Sequence, residues 1–182
     1  YTYSGDSVVA GTNLSAARYL LAAAGTSTVG IFAGGSTGSG YPTGTYKYTY
    51  SGDSVTSGSS LTLGRQGLAG TGTSTFGLFG GGYYNISTNL YYTNVVDKYT
   101  YSGDSVTSGT SLGANTPYLG ATGSSTVGIF GGGGDPPGIV AKNVTAITYK
   151  YTYSGDSLIT GTNLTTARSI LSAPGSTPAS FI

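Results

Sequence analysis

Cys, His, Met, Trp and Glu are all absent from the 182 residues. Without Cys there is no disulfide framework and no thiolate metal site, and the redox compartment stays open. With neither His nor Glu, the chain has no evident general acid and base pair and no first-row metal site. A Ser or Thr nucleophile would have no base beside it. Charge is scarce too, at 7% of residues with a formal net charge of +1. That balance leaves no electrostatic footprint for nucleic acid. No apolar run approaches the roughly 20 residues of a membrane-crossing helix, and no basic-then-apolar stretch opens the chain. Because translation starts with Met and none occurs, the expectation is a processed product or part of a longer chain.

What remains is 33 Gly, 17 Tyr and a hydrophobic content of 37%. Many of the apolar residues are Val, Ile, Leu, Tyr and Phe, which favour strands that bury a face and argue against disorder. The motif YTYSGDS recurs with Tyr1, Tyr48, Tyr99 and Tyr151 in register, a period of about 50 residues that marks a tandem repeat. Leu14, Leu61, Leu112 and Leu164 follow in register, then Arg18, Arg65, Thr116 and Arg168, then Gly25, Gly72, Gly123 and Gly175. The chain is therefore read as one array, 1–182, with units starting near 1, 48, 99 and 151 and a truncated last unit.

Each unit reads as four short strands with turns between them, so the expected class is all-β, a β-propeller of four-stranded antiparallel blades. RYLLAAAG makes the first strand and TVGIFAGG the second, an apolar run expected near the propeller axis. TYKYTYS follows as the third, then a Ser-Gly-Asp-Ser turn and a fourth. Ankyrin, tetratricopeptide and armadillo units need helical periodicity, and leucine-rich repeats are shorter. A parallel β-helix is the remaining rival, disfavoured because the two halves of a unit do not resemble each other.

An arginine, an apolar strand ending in Gly-Gly and a later tyrosine strand together resemble the kelch repeat over the whole chain. The resemblance implies that the diglycines Gly34 and Gly35, Gly81 and Gly82, and Gly132 and Gly133 end the second strand of each blade. The family's later tryptophan is missing, and Leu14, Leu61, Leu112 and Leu164 are expected in its packing place. Rings of this family usually have more than four blades, so a fragment of a longer array is expected. Copper oxidases occur among such propellers, but their site needs His and Cys ligands. The near-identical units are also similar to repetitive tail-fibre proteins of bacteriophages and to bacterial surface proteins.

Repeated charges imply structural work. Asp6, Asp53, Asp104 and Asp156 follow Gly in a turn, where the carboxylate is expected to accept backbone N–H groups and hold the hairpin. The alternative, one Ca²⁺ ligand per turn, supplies too few oxygens. Arg18, Arg65 and Arg168 are expected to bridge neighbouring blades through backbone carbonyls, and Lys47, Lys98 and Lys150 to be solvated charges at strand edges. Only Asp97, Asp135 and Lys142 fall outside the repeat.

Variation concentrates after the diglycines, where a repeat protein alters the surface that meets a partner. Tyr41, Tyr83, Tyr84, Asn85, Tyr91, Tyr92 and Asp135 are the candidate binding residues. Tyrosines among Asn and Thr suit stacking on sugars or packing on protein, and they equally suit covering a blade edge. Asn-x-Ser/Thr triplets at Asn13, Asn85, Asn143 and Asn163 arise readily in this composition. The expected function is a non-enzymatic recognition module, extracellular or virion-borne, that needs no cofactor or metal. Its expected partners are other protein subunits, copies of itself or a surface glycan, with a self-assembling fibre or a non-catalytic part of a larger enzyme as alternatives.

Overall fold

A computed structural model describes residues 8–135 and 143–171. Asp6, Lys142 and the end of the fourth unit lie outside the described residues. The described residues are all-β, and none of their helices is long and apolar enough to cross a membrane.

Three four-stranded antiparallel sheets follow one another along the chain. The first contains β1 (Tyr19–Gly25), β2 (Val29–Ser36), β3 (Thr45–Thr49) and β4 (Ser54–Gly58), paired in that order. In the second, β5 (Ala69–Gly72) and β6 (Phe76–Gly80) are separated in sequence from β9 (Val96–Thr100) and β10 (Ser105–Ser108). The gap holds a separate hairpin, β7 (Tyr83–Ile86) with β8 (Asn89–Tyr92), while β6 pairs directly with β9. The third sheet repeats the simple order with β11 (Gly120–Gly123), β12 (Val127–Gly131), β13 (Thr148–Thr152) and β14 (Ser157–Thr160).

The strands form where the alternation lies. Along β12, Gly128 and Phe130 are buried while Val127, Ile129 and Gly131 are less so, which aims alternate residues at opposite faces of the sheet. Phe79 and Phe130 are completely buried, each packed against the preceding sheet. Phe79 shares one buried cluster with Ile31 and Ala33, and Phe130 shares another with Leu78. Leu61 and Leu112 are buried in the same two clusters, each under hydrophobic neighbours that hold a unit to the next.

The sheets touch chiefly through their first strands, β1 against β5 and β5 against β11. The reason is side-chain size. A Cβ at Gly70 would stand 2.3 Å from the Ala23 carbonyl oxygen, so the Ala- and Gly-rich first strands allow backbone to approach backbone.

Near the start of the first strands, backbone hydrogen bonds link successive units among the described residues. Gly67 N–H donates to Leu20 O (2.9 Å), Tyr118 N–H to Gly67 O (2.8 Å) and Ile170 N–H to Tyr118 O (2.9 Å). Leu20, Gly67, Tyr118 and Ile170 all hold left-handed backbone, with φ of 55°, 64°, 55° and 57°. The diglycines adopt positive φ as well, and the second glycine of each donates to the next unit: Gly35 to Arg65 O, Gly82 to Thr116 O and Gly133 to Arg168 O. Side chains other than Gly meet a steric penalty in this conformation.

Around the outer turns, Asp53, Asp104 and Asp156 take the left-handed conformation at φ of 43°, 44° and 46°. Their carboxylates accept the hydroxyls of Tyr48, Tyr99 and Tyr151, five residues earlier. Beyond holding the hairpin, two of them reach the previous unit: Asp53 Oδ1 accepts Thr12 N–H (2.9 Å) and Asp104 Oδ1 accepts Ser59 N–H (3.0 Å). In the third sheet Thr110 N–H instead donates to the Tyr151 hydroxyl at 2.9 Å. The latch thus fastens consecutive units at their rims.

Candidate functional site

The arginines divide their work differently from the expected bridge. The Arg18 guanidinium donates to Gly34 O (3.1 Å) and Gly44 O (2.6 Å), and lies over the Tyr46 ring at 4.5 Å. Its targets belong to the sheet that it precedes. Arg65 does the same from complete burial, donating to Phe79 O (2.9 Å) and Gly81 O (2.7 Å). The contact between units is made by the main chain, since the carbonyls of Arg65 and Arg168 accept the diglycine N–H groups.

Asp97 stands where the other sheets carry Tyr46 and Tyr149. It pairs with Arg65 at 2.7 Å, both side chains being 0% exposed, and also accepts Thr62 N–H at 3.1 Å and the Thr62 hydroxyl at 2.6 Å. Burial lowers the Arg65 pKa, and the Asp97 carboxylate opposes that shift. Thr62 corresponds to Gly113 in the third unit, where a Cβ would stand 2.7 Å from the Tyr149 ring. Arg65 and Asp97 form a buried ion pair, and Thr62 caps it from the exposed side. Lys98 is likewise not a simple solvated charge, for its ammonium lies 4.4 Å from the Phe76 ring centroid.

The variable segment of the second unit is the one built into a surface. The residues 83–92 are YYNISTNLYY, with no charge among them. Antiparallel pairing sets Tyr83 opposite Tyr92, Tyr84 opposite Tyr91, Asn85 opposite Leu90 and Ile86 opposite Asn89. Ser87 makes the turn at φ 54°. Strand alternation puts Tyr83 and Tyr92 on one face and Tyr84 and Tyr91 on the other.

The inner face is anchored. Tyr83 is buried, its backbone pairs with Gln66, and its hydroxyl meets that of Tyr118 of the third sheet at 2.5 Å. Burial, first, and the Tyr118 hydroxyl push the Tyr83 pKa upward, with Tyr41 and Tyr19 of the first sheet within electrostatic reach. Tyr92 bonds Asp135, and burial followed by that bond raises its pKa to about 12. Asp135 is buried and fully engaged, because Asn143 donates both its N–H (2.8 Å) and its side-chain amide (3.1 Å) to it. Its pKa falls, chiefly through the Asn143 N–H. Tyr41 is half-buried, with Gly64 of the second unit close against its carbonyl.

The outer face is open. Tyr84 and Tyr91 stack with ring centroids 5.5 Å apart and planes at 14°. Tyr91 is 40% exposed and Ile86 58% exposed, with Asn85 and Asn89 also exposed. Of the seven candidate binding residues, the structure therefore turns Tyr84, Asn85 and Tyr91 toward solvent. Tyr83, Tyr92 and Asp135 hold the hairpin in place. Tyr118, an unremarked member of the set, is recognisable only through its place in the third sheet, since nothing local in sequence connects it with Tyr83.

Another concavity, of about 300 Å³, is lined by Gly120, Ile129, Gly131, Thr148, Leu164 and Leu171. Among the described residues no group of three or more acidic side chains could hold a metal ion. In comparisons with known proteins, no family model matches the sequence and no curated protein does either.

Proposed function

We propose that the chain is a run of blades from a β-propeller-like array that serves as a non-enzymatic recognition module on an extracellular or virion appendage. Successive four-stranded sheets, meeting through their first strands and latched at their outer turns, support the propeller reading. The observation that carries recognition is the hairpin β7–β8. It is inserted between β6 and β9, and it presents aromatic and amide side chains outward from an anchored base. A strand-built insertion of this kind fixes its contact residues before any partner arrives, which reduces the ordering cost of binding.

The experiment is a binding screen of the whole chain against arrays of surface glycans and surface proteins. It compares the wild type with a double variant, Tyr84→Ala with Tyr91→Ala. The expected result is a defined set of targets bound by the wild type and lost in the variant, with unchanged far-UV circular dichroism. Identical binding profiles for the two proteins would remove the hairpin from any recognition role.

A further inference from the structure

We infer that the outward face of the β7–β8 hairpin is a binding site for a neutral saccharide. The inference rests on the recognition reading above and names the ligand class for that same surface.

Three features select the class. The first is the aromatic platform. Tyr84 and Tyr91 are stacked nearly parallel and Tyr91 remains 40% exposed, so a ring is available to the CH-bearing face of a sugar. The second is the flanking chemistry. Asn89 is exposed on the same face as the ring pair, and an amide offers donor and acceptor together, as a hydroxyl-rich ligand requires.

The third is the missing charge. No Lys, Arg or Asp occurs between Gly82 and Thr93, and the nearby Asp135 is consumed by Tyr92 and Asn143. A phosphorylated, sulfated or sialylated ligand would find no counter-charge on the hairpin. A single-stranded nucleic acid would stack on tyrosines but also needs a basic groove.

Size separates saccharide from protein. The outward face consists of Tyr84, Ile86, Asn89 and Tyr91, whereas a protein interface engages roughly 20–30 residues a side. A few side chains match a ligand of a few rings. The anchoring of Tyr83 on Tyr118 and of Tyr92 on Asp135 holds the platform across the second and third sheets, so the site is preorganised rather than formed on contact.

The test is isothermal titration of the full chain with short neutral oligomers of glucose, galactose and mannose, and with the same oligomers carrying a sialic acid cap. At least one neutral oligomer should bind, with an affinity unchanged by added salt. Tyr91→Ala and Tyr84→Ala should each weaken it about tenfold, as expected for loss of a stacked ring. Tyr91→Phe should keep most of the affinity and Asn89→Ala should lower it. An unchanged unfolding midpoint shows that the variants are folded. Absence of binding by every neutral oligomer, a requirement for the sialic acid cap, or affinity indifferent to both alanine variants would each overturn the saccharide assignment. If the array screen instead finds a protein target that depends on Tyr84 and Tyr91, the saccharide assignment falls and the recognition reading stands. If nothing depends on the hairpin, both fall.

Discussion

Removing the carboxylate of Asp97 provides the sharpest check on how the second unit is held together. Arg65 and Asp97 are both 0% exposed and 2.7 Å apart. In Asp97→Ala the guanidinium keeps its carbonyl partners, Leu63, Phe79, Gly81 and Val95. It loses its only counter-charge among the described residues, and Thr62 loses the acceptor for both its N–H and its hydroxyl. Breaking a buried pair from one side costs about 3–5 kcal/mol, because the remaining charge stays desolvated. That is a large share of the roughly 5–15 kcal/mol available to a whole domain. The assay is urea unfolding at neutral pH, with the slope compared to confirm that only stability has changed.

The third unit supplies a rescue, since its Thr116, Tyr149 and Gly113 occupy the places of Arg65, Asp97 and Thr62. Combining Thr62→Gly, Arg65→Thr and Asp97→Tyr removes both charges and clears room for the ring. This triple variant should recover to within about 1.5 kcal/mol of the wild type, as volume-matched repacking does. A loss below about 1 kcal/mol in Asp97→Ala would refute the burial argument. A triple variant no better than the single one would refute the equivalence of the two stations.

The rim latches predict an acid transition. Asp104 is held below the ordinary carboxylate range first by the Tyr99 hydroxyl and then, against desolvation, by Ser59 N–H, and Asp53 chiefly by Tyr48 and Thr12. Their lowered folded pKa values mean that the latch stabilises above the unfolded pKa of about 3.9 and is lost as pH falls through the folded values. The urea midpoint should therefore drop steeply below that point, and the drop should flatten in Asp104→Asn. Tyr99 is raised, mainly by burial, so its contribution is present below the unfolded value of about 10 and fades at higher pH. Ala24→Thr should stabilise by about 1 kcal/mol, because Thr71 in the corresponding place lies 3.4 Å from the Tyr153 hydroxyl whereas the buried Tyr101 hydroxyl lacks a partner; an unchanged midpoint would count against that reading. Gly80→Ala should cost about 1–3 kcal/mol by overpacking, since its Cβ would stand 2.8 Å from the Phe130 ring, and a neutral result would mean that the ring shifts freely.

The strands were legible because short-range pattern determines them. Alternation in TYKYT and the apolar TVGIF run place β3, β2 and their counterparts within a residue or two. The diglycines were legible for the same reason, since positive φ at Gly34 and Gly35 is a local demand. Partnerships across units were not. The turn of Asp104 is written in neighbouring residues, but its donor Ser59 is 45 positions away. Asp97 looked like an isolated charge because it stands where other units carry a tyrosine, and only the packing shows that Thr62 and Arg65 meet it. The hairpin β7–β8 read as a variable loop because its strands are short and its tyrosines occupy both faces. Which of them point inward depends on Tyr118 and Asp135, supplied by the next sheet.

The line of backbone hydrogen bonds through Leu20, Gly67, Tyr118 and Ile170 bears on how such an array can vary. These bonds use main-chain atoms alone, and the four stations carry Leu, Gly, Tyr and Ile. An L-residue in left-handed backbone costs about 1–2 kcal/mol, most for a β-branched one such as Ile170, whereas Gly67 adopts it freely. The described copies thus carry different side chains there while keeping the same bonds. A change of length is another matter. Adding or removing one residue between Arg65 and β5 would shift Gly67 out of line and sever its bonds to both Leu20 and Tyr118. Such an array carries different letters at these stations, but it cannot alter its spacing.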